Sequence, residues 1–370
     1  MTFHGKQVFS RLDADGTLTV ELVDQAIPDP TGANVVIKVE AAPINPSDLG
    51  LMFGHADLAK ASFSPGKLVA RMPDAAVRIQ SARHGIPQRV GNEGAGVVVA
   101  AGDDPLAQAL LGRRVSCVPG GMYATYAAGD ARACMVLDDG VDAAAGASSF
   151  VNPVTALAFL ETMKAEGHRA IIHTAAASNL GQMLVRLSHE DGFGLVNVVR
   201  SEAQATTLRA LGAQHVLDSS LPDFDEQLVD AIDRTGAMLA FDAIGGGTMA
   251  GRLLSAMERV ASRGQPFSVY GSMTPKKVYI YGMLDASPTI INRDFGFSWD
   301  VAGWLLTPHL AKMAPETVGA MRQRVMAGLT TTFASSYKGR IALEDMLSPE
   351  AVRAYAAIRT GEKYLVVPGG

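Results

Sequence analysis

An α/β protein of two interleaved domains is what this sequence predicts, a β-rich domain split around a doubly wound parallel sheet. Three observations carry that expectation. At 370 residues the chain is too long for one hydrophobic core. Its first third reads as short β-branched runs, whereas from about Phe150 strands alternate with helix-length segments. The closing run from Lys363 to Pro368 is again β-like and stands apart from that alternation, so the chain is expected to return to its first domain. The expected boundaries are residues 1–149, 150–305 and 306–370.

Val35–Val39, Gly96–Ala100 and Arg114–Val118 are brief β-branched runs bounded by Gly, Pro, Asn or Asp. Residues 59–89 show little periodicity and end in a basic stretch with Gly and Pro, which reads as an elaborated loop over a binding cleft. Arg169–His173 opens the alternating region as an apolar strand, and Leu180, Met183, Leu184 and Leu187 follow at helical spacing. Leu195–Val199 is the next strand. Ser201 with Gln204 makes a capping-box pattern, opening a helix that ends near Leu211 and Gly212. His215–Asp218, Met238–Asp242 and Pro266–Tyr270 continue the strand series, and after about Leu306 the pattern breaks.

Charge and composition remove several classes of function. Lys+Arg 32 against Asp+Glu 37 leave a net charge of −5 with no basic block, so a nucleic-acid partner has no electrostatic footprint. Met1 to Ser10 hold no apolar run suited to a signal peptide. The uncharged stretch Ala143–Leu160 carries Ser148, Ser149, Asn152 and Pro153 near its centre. Such groups are costly in lipid, so it reads as buried protein rather than a membrane span. Cys117 and Cys134, widely spaced, make neither a disulfide framework nor a thiol metal cage and read as buried thiols. A cytoplasmic enzyme or binding protein is the expected class.

The first strand of the alternating region runs into the small-residue loop Thr174–Gly181 and then a helix. There a dinucleotide fold places its phosphate turn, where small side chains admit the pyrophosphate and the helix N-terminus supplies N–H groups. Alanines stand where glycines are usual, and only Gly181 remains. Ser178, Asn179, Leu180 and Gly181 are the candidate pyrophosphate residues. The second strand ends in Val199-Arg200, where a fold specific for NAD would carry a carboxylate. A guanidinium there pairs with a 2′-phosphate, so the expected cofactor is NADPH.

Several motifs in order resemble the medium-chain dehydrogenase/reductase superfamily, in its zinc-free quinone oxidoreductase and enoyl thioester reductase branches. They are Ile44-Asn-Pro-Ser-Asp48, Gly91-Asn-Glu-Gly94 with Gly96-Val-Val, Gly112-Arg-Arg-Val115, Val151-Asn-Pro-Val-Thr-Ala156, Leu208-Arg-Ala-Leu-Gly-Ala213, Phe241-Asp-Ala-Ile-Gly245 and Val269-Tyr-Gly-Ser-Met273. The resemblance implies a GroES-like substrate domain split around a Rossmann domain, an active cleft between them, and a homodimer. By matching position, Asn152, Ala177 to Leu180 and Arg200 would hold the cofactor. So would Tyr270, Gly271, Ser272, Met273, Phe297, Ser298 and Lys363. Asn45 and Thr155 would lie near the nicotinamide.

Zinc-dependent members place a Cys near the early turn and a His before the Glu of the glycine-rich entry. Here those places hold Asn45 to Asp48 and Asn92, and the 8 histidines form no H-E-x-x-H pair, so no metal is expected. No G-x-S-x-G elbow supports a serine hydrolase either. What is left is hydride donation from NADPH to an electron-poor acceptor, a quinone or a conjugated enone. The enoyl thioester reductases carry a catalytic Tyr after the glycine that follows the early turn. This chain reads Phe53-Gly-His-Ala56 there, making His55 the candidate proton donor. Two alternatives stay open: an enoyl thioester reductase working without that Tyr, and a nucleotide-binding protein with little catalysis.

Overall fold

The computed structural model describes residues 2–369. They form two compact units, one of Met1–Val151 with Arg324–Gly370 and one of Asn152–Gln323. In the first, Phe3–Leu12 pairs antiparallel with Thr17–Ile27, and Lys67–Arg71, Ser62–Ser64 and Gln88–Arg89 extend that sheet. A second sheet centres on Asn34–Pro43. Its antiparallel partners are Gly94–Ala101, Tyr126–Asp130 and the C-terminal strand Tyr364–Val367. Val35, Val36 and Ile37 are all buried in succession, so this end of the strand is covered on both faces, while Lys38 beyond them is exposed.

The second unit holds a sheet of six parallel strands. Their order is His215–Asp218, Gly194–Val199, Ala170–His173, Leu239–Asp242, Lys276–Ile280, Trp299–Gly303. The first three run backwards in sequence and the last three forwards, so the order reverses beside Ala170–His173. That is the doubly wound dinucleotide topology, whose ligands bind outside the carboxyl ends of the strands at the reversal. The amphipathic helices Phe224–Thr235 and Met249–Ala261 pack Phe224, Leu228, Ile232, Leu253 and Met257 onto Val196, Val198 and Val278. The run Ala143–Ala165 is long and apolar enough to cross a membrane, yet most of it is buried within the protein.

Three expectations need correction. Residues 266–270 are not a strand; the strand is Lys276–Ile280. Pro266 lacks a donor and Phe267 and Val269 are exposed, whereas Val278 and Tyr279 pack inward. Residues 59–89 are not an open loop. Lys67–Arg71 alternates, burying Leu68 and Ala70, and Asp74–Ile79 is a helix that buries Ala76 and Val77. The second unit also runs to Gln323, past the expected boundary at 305. Trp304 keeps the chain there: its ring meets Phe159 edge-on at 4.6 Å and stacks on His309 at 4.6 Å.

Residues 262–275 lie between the helix Met249–Ala261 and the strand Lys276–Ile280, tied down by one carboxylate. Glu258 accepts the Ser272 N–H at 2.7 Å, the Ser272 and Ser262 hydroxyls at 2.7 and 2.6 Å, and the Lys276 ammonium at 2.6 Å. Burial pushes this acid up, but the Lys276 ammonium and the serine donors outweigh it and hold it at about 2. Lys276 is wholly buried. Removing one member of such a pair leaves a buried charge without compensation. Lys276→Met is therefore expected to lower stability by about 3–5 kcal/mol, measured by urea unfolding.

Candidate functional site

In the second unit, the candidate phosphate turn sits at the carboxyl edge of the parallel sheet. Ser178 caps the helix Asn179–Asp191, its hydroxyl accepting the Gly181 N–H at 3.2 Å. A Cβ on Gly181 would lie 2.0 Å from the Ala176 carbonyl, so only glycine allows the helix to start this close to the strand. Ala175 adopts φ +50°, a conformation in which glycine is usual. Ala177, Asn179 and Leu180 have buried side chains, so these positions meet a ligand through the backbone. Thr174 steadies the turn by donating to Asp242 at 2.6 Å and accepting the Ala243 N–H at 2.8 Å. A buried acid clamping the ends of two central strands was not singled out from sequence.

Arg200 follows the neighbouring strand Gly194–Val199 at the same edge and is exposed. Its backbone N–H is taken by Gln204 at 3.1 Å, while Glu202 is engaged by Arg209. No carboxylate pairs with the Arg200 guanidinium among the described residues. A cation at a strand end, next to a helix N-terminus in a glycine-tight turn, suits a phosphorylated dinucleotide. Asn152 and Thr155 share one face of the helix Val151–Ala165; Thr155 is buried and Asn152 half-buried.

Tyr270, Gly271, Ser272 and Met273 lie before the strand Lys276–Ile280, and Phe297 and Ser298 before Trp299–Gly303. In a parallel sheet that is the amino edge, opposite Ser178 and Arg200, so these six expected cofactor residues are not part of the phosphate site. At the carboxyl end of Lys276–Ile280 stand Tyr281, Gly282 and Met283. A Cβ on Gly282 would come 2.6 Å from the Ala243 carbonyl, so this turn too requires glycine. Tyr281 meets the buried His173 at 2.7 Å, and burial holds that imidazole neutral with a pKa of about 3. The signal was present: Tyr-Gly occurs twice, at 270–271 and 281–282, and only the second follows a β-branched run.

The first unit holds the other candidates in a buried polar network. Asn45 donates its amide to Glu93 at 3.0 Å, and the other oxygen of Glu93 accepts the Phe150 and Val151 N–H groups, each at 2.9 Å. Asp48 accepts the Asn45 N–H at 2.9 Å and the Asn92 N–H at 2.7 Å. Burial, with Glu93 nearby, pushes its acid up to about 6. The Asn45 carbonyl oxygen is buried, and the capping box that opens the helix Pro46–Met52 turns it toward the Asp48 N–H. One of its amide N–H groups goes to Glu93, which fixes the side chain.

Lys363 is 7% exposed and donates to the Ser148 hydroxyl at 2.7 Å, which also receives the Tyr337 hydroxyl at 2.8 Å. Burial pulls the ammonium down while Glu93 and Asp48 push it back up. It is an internal cation balancing two buried acids, not the exposed phosphate contact expected. Tyr123 is buried with its hydroxyl on the Pro43 carbonyl at 3.0 Å. His55 is exposed on the turn after the helix Pro46–Met52, outside this network.

Known proteins were compared with this chain, and no family model matches it. The mitochondrial enoyl-[acyl-carrier-protein] reductase of Bos taurus is 26% identical over 270 residues, 71% of this chain and 65% of that protein. The aligned stretch thus spans just under two thirds of that relative's length. A quinone oxidoreductase of Pseudomonas aeruginosa is 26% identical over 183 residues, 49% of this chain and 55% of that protein. A crystal structure from Mesorhizobium loti, provisionally named an NADPH:quinone reductase, superposes with TM-score 0.75 at 26% identity. The match covers 99% of this chain and 98% of that one.

Two outcomes follow from this geometry. Ala175→Gly relieves the left-handed strain against a smaller entropic cost. It is expected to stabilise the protein by roughly 1 kcal/mol in thermal unfolding without weakening nucleotide binding. Asp48 has a folded pKa of about 6, above its ordinary value of 3.8, so the folded state holds its proton more tightly. Its contribution to stability is present below about pH 4 and is lost as pH rises through about 6, the reverse of an ion-paired carboxylate. Unfolding free energies of wild type and Asp48→Asn at pH 4.5 and pH 7 should differ in this sense, by up to roughly 3 kcal/mol.

Proposed function

We propose that this protein, a relative of the zinc-free quinone oxidoreductases and enoyl reductases of the medium-chain dehydrogenase/reductase superfamily, is an NADPH-dependent reductase of quinones or α,β-unsaturated carbonyls. The observation that carries the reading is Arg200, exposed and without an ion pair beside the Ser178-capped helix start. Arg200 holds the 2′-phosphate, and the backbone from Ala177 to Gly181 receives the pyrophosphate. Bound NADPH supplies the hydride. In the first unit, Asn45, held by Glu93, is the residue proposed to orient the acceptor.

Zinc independence is part of the proposal. Glu93, where zinc-dependent relatives have a metal site, spends both oxygens on Asn45, Phe150 and Val151. Quinones are favoured over enoyl thioesters because no phenol stands at His55. A second copy of the chain is the proposed partner. Trp299–Gly303 is an edge strand, and the exposed Phe267, Val269, Tyr270, Met273 and Phe297 lie near its amino end.

Fluorescence titration with NADPH and NADH, repeated with Arg200→Ala, tests the cofactor reading. The variant is expected to bind NADPH about tenfold to a hundredfold more weakly and NADH nearly as before. NADPH consumption is then followed with quinones, enones and an enoyl thioester. Binding without turnover on any acceptor would favour the non-catalytic alternative, and binding of neither nucleotide would end the reductase reading.

A further inference from the structure

Cys117 ends the strand Arg114–Cys117, and Cys134 immediately precedes Met135–Val136. The two strands run antiparallel with Met135 opposite Ser116 and Val136 opposite Val115. One more step of that register sets Cys134 opposite Cys117. The Leu137 N–H donates to the Arg114 carbonyl at 3.0 Å, so that pair is hydrogen-bonded. Pairs alternate along an antiparallel ladder, which makes Cys134 and Cys117 a non-hydrogen-bonded pair. In keeping with this, the Cys134 N–H turns instead to the Ala131 carbonyl at 3.1 Å.

Opposed Cα atoms in such a pair lie about 4.5 Å apart, the closest approach in a sheet. Disulfides accept Cα separations from about 4.4 Å, so the backbone needs little movement to bridge these two. The thiols already interact: a hydrogen bond with Cys134, together with burial, pushes the Cys117 thiol up. Access differs between them. Cys117 is 2% exposed, whereas Cys134 is half-buried next to the outermost strand of its sheet.

We propose that Cys117 and Cys134 form a reversible cross-strand disulfide, closed by a hydroperoxide and opened by a thiol reductant. The accessible Cys134 sulfur attacks a peroxide oxygen; the O–O bond breaks, Cys134 becomes a sulfenic acid, and the other oxygen leaves protonated. The Cys117 sulfur then attacks the Cys134 sulfur. The S–S bond forms, the S–O bond breaks, and water leaves with the last thiol proton. Two electrons pass from the thiols to the peroxide, and with hydrogen peroxide both oxygens end as water. A cross-strand bond of this kind is strained and so readily reopened by exchange. It ties the edge strand to the strand whose Ser116 hydroxyl accepts from Ser149 at 2.7 Å, one residue before the Phe150 N–H that binds Glu93. Oxidation thereby stiffens the frame that holds Asn45.

The test exposes the intact protein to hydrogen peroxide, alkylates the remaining thiols in denaturant and maps the peptides by mass spectrometry. The expected result is a joined pair of Cys117 and Cys134 peptides, lighter by two hydrogens, that dithiothreitol separates. Cys117→Ser should instead accumulate a sulfenic acid at Cys134 that dimedone traps, and Cys134→Ser should leave Cys117 unmodified over the same exposure. Recovery of both cysteines alkylated after peroxide would overturn the proposal. Cross-links only between chains, or Cys134 driven to sulfinic acid with Cys117 still free, would do the same.

Discussion

The Glu93 carboxyl group is the constraint on which the first unit's polar interior depends. It is 1% exposed, and an acid so buried is tolerated only when its oxygens are occupied. Three donors from two distant stretches occupy them: the Asn45 amide, and the Phe150 and Val151 N–H groups at the start of a long helix. Hydrogen bonds to a charged acceptor are worth about 1.5–3 kcal/mol each, enough to fix the early turn against residues more than fifty positions later. Asp48 repeats the arrangement one turn on, gripping the backbone of Asn45 and Asn92. Lys363 then enters beside both acids as their counter-charge.

This network explains which parts of the site could be read in advance. The positions of Ser178, capping a helix, and of Arg200, at a strand end, were legible because they follow from neighbours in sequence: a strand, a turn, a helix start, and the next strand's end. The paired Tyr-Gly motifs were not, because the choice between 270 and 281 depends on which preceding run finds a place in the sheet. Lys276–Ile280 has two parallel neighbours, whereas 266–270 lies exposed between Ser262 and Ser272, the two residues that Glu258 holds. Lys363 was out of reach for another reason. Its partner Ser148 is 215 residues away, and a lysine before a terminal strand looks like any surface lysine until that strand is seen pairing with Asn34–Pro43.

The fold followed the same division. Strands with a single period and clear punctuation, such as Ala170–His173 and Gly194–Val199, lie where their apolar runs indicate. The 59–89 region was misread because its strand is short, and its alternation, with Leu68 and Ala70 inward, is diluted by charged ends. Trp304 likewise carries no periodic signal. Its assignment rests on ring contacts with Phe159 and His309, which only tertiary structure reveals.

The occupied donors of the first unit also bear on which acceptor the protein can serve. Asn45 gives one amide N–H to Glu93, while Tyr123 commits its hydroxyl to Pro43 and Tyr337 its hydroxyl to Ser148 and Ala144. None of these stands ready to protonate carbon. Reduction of an enoyl thioester ends with proton delivery to an α-carbon, a slow transfer that gains from a placed general acid. Reduction of a quinone ends with protonation of oxygen, which water performs readily. On the proposed function, a first unit whose buried hydroxyls are already committed is therefore better matched to the second reaction.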